Sequence, residues 1–123
     1  MERFTEEQEE ALHLLDSLQE LQFYYCMKLQ CLPAGLDKLT NLKRLGTWHC
    51  PAIQSLPKDG FPSSLEELSI RDCPAIKSLL KDGLPSSLLK LHAYGLISEE
   101  LKRQCRKLKG TIPIIIDYWP NWE

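Results

Sequence analysis

The chain has no valine and no surplus of either charge: 15 Lys and Arg stand against 17 Asp and Glu, a net charge of −2 over 123 residues. Without a basic excess there is no global field to drive non-specific nucleic-acid binding. Nor does any apolar run approach the roughly 18 residues that a membrane-spanning helix needs. Residues 1–10 are acidic rather than a basic stretch leading into an apolar one, so neither secretion nor membrane insertion is expected, and the expected location is cytoplasmic. The five cysteines form no C-x-x-C pair and no Asn-x-Ser/Thr acceptor occurs, which fits free thiols in a reducing compartment. The phosphate loop G-x-x-x-x-G-K-S/T is missing, as are G-x-S-x-G and H-E-x-x-H, so the motifs give no ground to expect ATP binding or hydrolysis.

What is abundant is leucine, and it recurs in register. Residues 17–36 read SLQELQFYYCMKLQCLPAGL, residues 41–61 NLKRLGTWHCPAIQSLPKDGF, residues 64–84 SLEELSIRDCPAIKSLLKDGL and residues 87–94 SLLKLHAY. Aligning Leu18, Leu42, Leu65 and Leu88 gives spacings of 24, 23 and 23. The same offsets align Leu21, Leu45, Leu68, Leu91; then Phe23, Thr47, Ile70, Ala93; then Cys26, Cys50, Cys73; then Leu29, Ile53, Ile76; then Leu32, Leu56, Leu79. Each unit is L-x-x-L-x-L-x-x-C-x-x-L-x-x-L-P followed by a turn containing glycine.

Alternation around Leu21 and Phe23 is the period of a short strand with one face buried. After it the apolar spacing becomes three, and Pro33 with Gly35, Pro57 with Gly60, and Gly83 with Pro85 turn the chain back. A unit this small cannot bury its apolar side alone, so neighbouring units must stack strand on parallel strand. The expected fold is therefore an α/β solenoid of short parallel strands with an irregular, loop-rich convex side. These residues are also those of the leucine-rich repeat. The form with Cys after the strand and LPAGL, LPKDGF or LLKDGLPSS beyond it closely resembles the C-terminal repeats of plant intracellular nucleotide-binding leucine-rich-repeat disease resistance proteins, from residue 5 to about 116, including ELKRQCRKLKG. Leu80 departs from the pattern where proline is expected, and Leu96 stands at the cysteine position of the fourth unit. The resemblance implies a terminal fragment or a truncated relative, because neither the nucleotide-binding nor the signalling module of that family fits in this chain.

The ends read as caps. Thr5, Glu6, Glu7 and Gln8 form a capping box and Ala11, Leu12 and Leu15 follow at helical spacing, which predicts a helix over 6–16. Ser98, then Glu99 and Glu100, then Lys102, Arg103, Arg106, Lys107 and Lys109, then Gly110 predict a second helix. Thr111 to Ile116 is expected as a short edge segment, with Trp119 and Trp122 in a tail. The predicted organisation is an N-terminal cap over 1–16, three full repeats and a partial one over 17–97, and a C-terminal cap, edge segment and tail over 98–123.

Three sharper readings give way to plainer ones. The basic cluster between 102 and 109 complements a helix dipole, since the acids precede it and no aromatics interleave for nucleic-acid stacking. Cys26, Cys31 and the adjacent His49 and Cys50 invite a metal, yet Cys26, Cys50 and Cys73 share one repeat position suited to packing, and zinc needs four converging ligands. A Cys-His hydrolase built on His49 and Cys50 fails because neighbours on a strand face opposite ways. No enzyme activity, metal, cofactor or small-molecule substrate is expected, and neither nucleic acid nor membrane is an expected partner.

Function is expected on the exposed face of the strands. One row of that face, Glu20, Arg44, Glu67 and Lys90, alternates acid and base. Another places Tyr24, Trp48, Arg71 and Tyr94 side by side, residue types that anchor protein interfaces. Flanking rows add Tyr25, His49 and Asp72, and Gln22, Gly46, Ser69 and His92. The candidate protein-binding residues are Tyr24, Trp48, Arg71, Tyr94, Tyr25, His49, Asp72 and His92. The family resemblance implies a recognition module for plant innate immunity, binding a pathogen effector, a host guard target or other domains of a resistance protein. A repeat scaffold or substrate adaptor with no immune role is the alternative.

Overall fold

A computed structural model of the chain describes residues 5–14, 17–32, 35–54, 60–77, 85, 87–108 and 114–117. Its elements run α1 (Glu6–His13), β1 (Glu20–Tyr24), a single 3₁₀ turn (Leu36–Lys38), β2 (Arg44–Trp48), β3 (Glu67–Arg71), β4 (Lys90–Tyr94), α2 (Glu99–Leu108) and β5 (Ile114–Asp117). The strands form one five-stranded sheet in chain order, every neighbouring pair parallel. The protein is thus an α/β chain built on a parallel sheet.

The leucine alignment is the register of that sheet. Leu21 pairs with Leu45, Leu45 with Leu68 and Leu68 with Leu91, while Tyr24 pairs with Trp48, Trp48 with Arg71 and Arg71 with Tyr94. The ladder begins the same way each time. Gln19 O accepts from the N–H groups of Lys43 and Arg44, Lys43 O from Glu66 and Glu67, and Glu66 O from Leu89 and Lys90, all at 2.8–3.0 Å. Just upstream, Ser64 Oγ donates to Leu42 O and Ser87 Oγ to Leu65 O, both at 2.6 Å. These bonds tie each unit to the one before it and satisfy carbonyls that the loops would otherwise leave buried and unpaired.

Leu42, Leu45, Leu65, Leu68 and Leu91, with Ile53, Ile70 and Ile76 from the strand and turn positions, are buried in one continuous core. At the β1 end the same positions are less covered: Leu18, Leu21 and Cys26 pack against that core but are only partly buried. Cys26 therefore departs from the buried cysteine ladder expected of all three units. Among the described residues its strand has a neighbour on one side only.

Both helix starts follow their side-chain chemistry. Thr5 N–H donates to Gln8 Oε1 at 2.9 Å and Gln8 N–H to Thr5 Oγ1 at 3.1 Å, the reciprocal bonds of a capping box. The helix is shorter than the sequence predicts. It ends at His13, where Leu14 N–H turns back to Ala11 O, and both Ala11 and Leu14 are exposed; residues 15 and 16 lie outside the described residues. Ser98 Oγ accepts from Leu101 N–H at 3.1 Å and donates to Ile76 O at 2.9 Å, so one hydroxyl both caps α2 and docks it. Leu101 and Cys105, one turn apart, carry α2 into the core. The expected edge segment is β5, which begins at Ile114, after Pro113, and pairs with β4. Leu56, Leu79, Leu80, Pro33, Pro57, Gly83, Lys109, Gly110, Trp119 and Trp122 lie outside the described residues.

Candidate functional site

Strand alternation sends residues 20, 22 and 24 of β1, and their register partners, to the face away from the core. The row expected there is present, but it is a stack rather than four free side chains. The rings of Tyr24 and Trp48 lie 5.7 Å apart at 26°. Arg71 Cζ sits 5.3 Å from the Trp48 ring and 5.0 Å from that of Tyr94, and those two rings meet edge to face at 6.4 Å. Trp48 Nε1–H also donates to Gln22 Oε1 at 2.7 Å. As a result only Tyr24, 56 % exposed, is fully open, and Trp48, Arg71 and Tyr94 are half-buried by one another. The sequence expectation of four exposed side chains is corrected accordingly: large planar groups about 4.8 Å apart on neighbouring strands cover each other.

The row beside it carries backbone strain. Tyr25, His49 and Asp72 have φ of 54°, 56° and 54°, and the equivalent residue of the fourth unit, Gly95, has 78°. Each amide still extends the ladder: Tyr25 N–H to Trp48 O, His49 N–H to Arg71 O and Asp72 N–H to Tyr94 O, at 2.9, 2.9 and 3.2 Å. A left-handed residue costs roughly 1–2 kcal/mol when it is not glycine. Side-chain contacts offset that cost. Tyr25 and His49 stack at 4.8 Å and 4°, His49 Nδ1 lies 3.2 Å from Asp72 Oδ2, and Asp72 Oδ1 accepts from Leu96 N–H at 2.7 Å. Arg71 Nε, 3.6 Å from Asp72 Oδ2, joins the two rows.

The charged row alternates in register, but it pairs only part way. Arg44 lies between Glu20 and Glu67 at 3.7 and 3.8 Å, while Lys90 forms no ion pair among the described residues. Glu67 instead approaches His92, its Oε2 3.0 Å from Nε2, in a contact that lacks hydrogen-bond alignment and leaves Nε2 buried without such a bond. In the remaining row, expected as an exposed polar flank, Gly46 and Ser69 are buried. At Gly46 the reason is visible: a Cβ there would strike Gln22 Oε1 and Trp48 Nε1. All eight candidate residues therefore lie on or beside one sheet face. Glu67, Gln22 and Gly95 complete the arrangement and were not among them. The signal for Gly95 lay in the column Tyr25, His49, Asp72, Gly95, whose last two members are types that tolerate positive φ.

Cys50 and Cys73, the residues after His49 and Asp72, are buried in the core. Cys50 Sγ contacts Phe23 O at 3.5 Å and Trp48 O at 3.4 Å; Cys73 Sγ contacts Arg71 O at 3.2 Å and Thr47 Oγ1 at 3.5 Å. Burial pushes both thiols above their ordinary range. His49 and Cys50, adjacent in sequence, engage different partners. No group of three or more His, Cys, Asp or Glu arranged to hold a metal occurs among the described residues, and no helix among them is long and apolar enough to cross a membrane. Neither a scan against protein-family models nor a search of curated proteins finds a match to this chain.

Proposed function

We propose that the chain is a non-enzymatic recognition module: a leucine-rich-repeat solenoid, closed by α1 and α2 as caps, whose concave sheet face binds protein in the cytoplasm. The observation that carries this reading is the row Tyr24, Trp48, Arg71, Tyr94. It concentrates aromatic and guanidinium groups on one face, and a second row held at unfavourable φ supports it from the side. Such groups dominate interface energetics because they bury large areas with little loss of side-chain freedom. The resemblance of the repeats to those of plant resistance proteins supports a role in effector sensing or autoinhibition in innate immunity. The partner is then a pathogen effector, a host guard target or another domain of a receptor.

A photo-reactive phenylalanine analogue placed at Tyr24, and separately at Arg103 on α2, tests the binding face in a plant leaf extract. The reading expects a discrete protein adduct from position 24 and none from position 103. Adducts from position 103 alone would move recognition to the helix.

A further inference from the structure

Arg71 keeps most of its hydrogen-bonding capacity unspent. Its guanidinium makes no hydrogen bond to any described residue, and its nearest carboxylate, Asp72, lies on the Nε side at 3.6 Å. The two Nη groups retain four N–H donors in a planar fork. The side chain is 42 % exposed yet already positioned, because the Trp48 and Tyr94 rings hold the guanidinium in the corner they form. Most of the rotamer freedom that an arginine loses on binding is thus lost before a ligand arrives.

The surrounding acids all have partners besides Arg71. Asp72 accepts from Leu96 N–H and faces His49, while Glu20 and Glu67 face Arg44, and Glu67 also faces His92. We propose that Arg71 is a carboxylate-binding fork at the centre of this face, taking an Asp or Glu side chain from an extended segment of a protein partner whose flanking apolar residues rest on Tyr24 and Trp48. The proposal rests on the protein-recognition reading above. A carboxylate fits better than a phosphate. It matches the planar fork bidentately, and its single negative charge is the smaller one to bring beside the Asp72 carboxylate.

The test is a ¹H–¹⁵N NMR titration of the full chain, following Arg71 Nε–Hε and Trp48 Nε1–Hε1. Four probes are used: Ac-Leu-Glu-Leu-NH₂, Ac-Leu-Gln-Leu-NH₂, Ac-Leu-Gln-Leu with a free C-terminus, and inorganic phosphate. The expected result is a saturable shift of Arg71 with the Glu peptide and at least tenfold weaker binding of its Gln counterpart. Arg71→Lys, which keeps the charge but loses the fork, is expected to melt normally and to weaken the Glu peptide at least fivefold. Should that variant fail to fold, the Glu and Gln comparison on the wild type decides alone. Equal binding by the free C-terminus or by phosphate overturns the assignment to an acidic side chain, and undiminished binding by Arg71→Lys overturns the fork. Equal binding of the Glu and Gln peptides that Tyr24→Ala abolishes would remove the carboxylate and leave the recognition face standing. If no probe moves either resonance, the carboxylate proposal falls, and the adduct at position 24 decides the recognition face independently.

Discussion

Trp48 and Gln22 are joined across adjacent strands by an indole N–H to side-chain oxygen bond of 2.7 Å that passes over Gly46. That bond makes Trp48 a fixed platform rather than a swinging side chain. It satisfies the indole donor, as a half-buried indole requires, and it orients the ring against which Tyr24 and Arg71 are packed.

Gly46→Ala places a methyl group where Gln22 Oε1 and Trp48 Nε1 now meet. The flexible tip of Gln22 is the part that can yield, so the variant is expected to fold but to lose the bond, at a cost of about 1 kcal/mol. The Trp48 indole cross-peak should move toward the position of a solvated indole and the melting temperature should fall by roughly 4 °C. An unshifted indole would show that the bond does not set the ring.

The left-handed row predicts an asymmetry between its members. Gly95 has φ 78°, and a Cβ there would strike the Asp72 carboxylate, so Gly95→Ala is expected to cost roughly 1–2 kcal/mol in denaturant unfolding. At His49 the positive φ is already borne by a side chain. His49→Asn, a residue tolerant of that conformation, should cost less than about 1 kcal/mol.

Core and face positions on β2 should separate in magnitude. Leu45→Ala empties a buried site and is expected to cost about 2–5 kcal/mol. Trp48→Ala removes a stack, an edge contact and a hydrogen bond from a half-buried site. Its cost is put at about 1–2 kcal/mol, above that of an isolated surface residue. Equal losses in the two variants would mean that the register of β2 is misread.

The thiols should divide by burial. Cys50 and Cys73 are buried and their thiolates disfavoured, whereas Cys26 and Cys31 are partly open. Alkylation of the native protein at pH 8 is expected to label Cys26 and Cys31 well before Cys50 and Cys73. Because the folded state holds these two protons more tightly than an unfolded chain with the ordinary value of 9.0, stability is full below about pH 9 and declines as pH rises beyond it. The decline should be shallower in a Cys50→Ala/Cys73→Ala double variant.

Much of this arrangement was legible in the sequence because a repeat states its own register. Once Leu18, Leu42, Leu65 and Leu88 were aligned, the row Tyr24, Trp48, Arg71, Tyr94 followed, and the strands pair in that register. The helix starts were equally readable, since Thr5 with Gln8 and Ser98 act through local backbone bonds. What alignment did not convey is how side chains lean. Spacing alone gives no sign that Arg71 lies over two rings, that Glu67 prefers His92 to Lys90, or that Gln22 reaches across Gly46, because each depends on rotamers chosen among several neighbours. Leu96 illustrates the same limit. It occupies the cysteine column yet is 71 % exposed, its amide drawn to Asp72 instead.

The claim that this sheet face recognises protein is tested most directly by calorimetric titration of the partner captured at position 24 against three forms of the chain: wild type, Tyr24→Ala and Arg103→Ala. Tyr24 is open and lies at the end of the stack, so its truncation should cost less than about 1 kcal/mol of stability. The account predicts that Tyr24→Ala melts within a few degrees of the wild type but loses roughly 2 kcal/mol of binding, about thirtyfold in Kd, while Arg103→Ala binds as the wild type does. Unchanged affinity in Tyr24→Ala together with a loss in Arg103→Ala would contradict it.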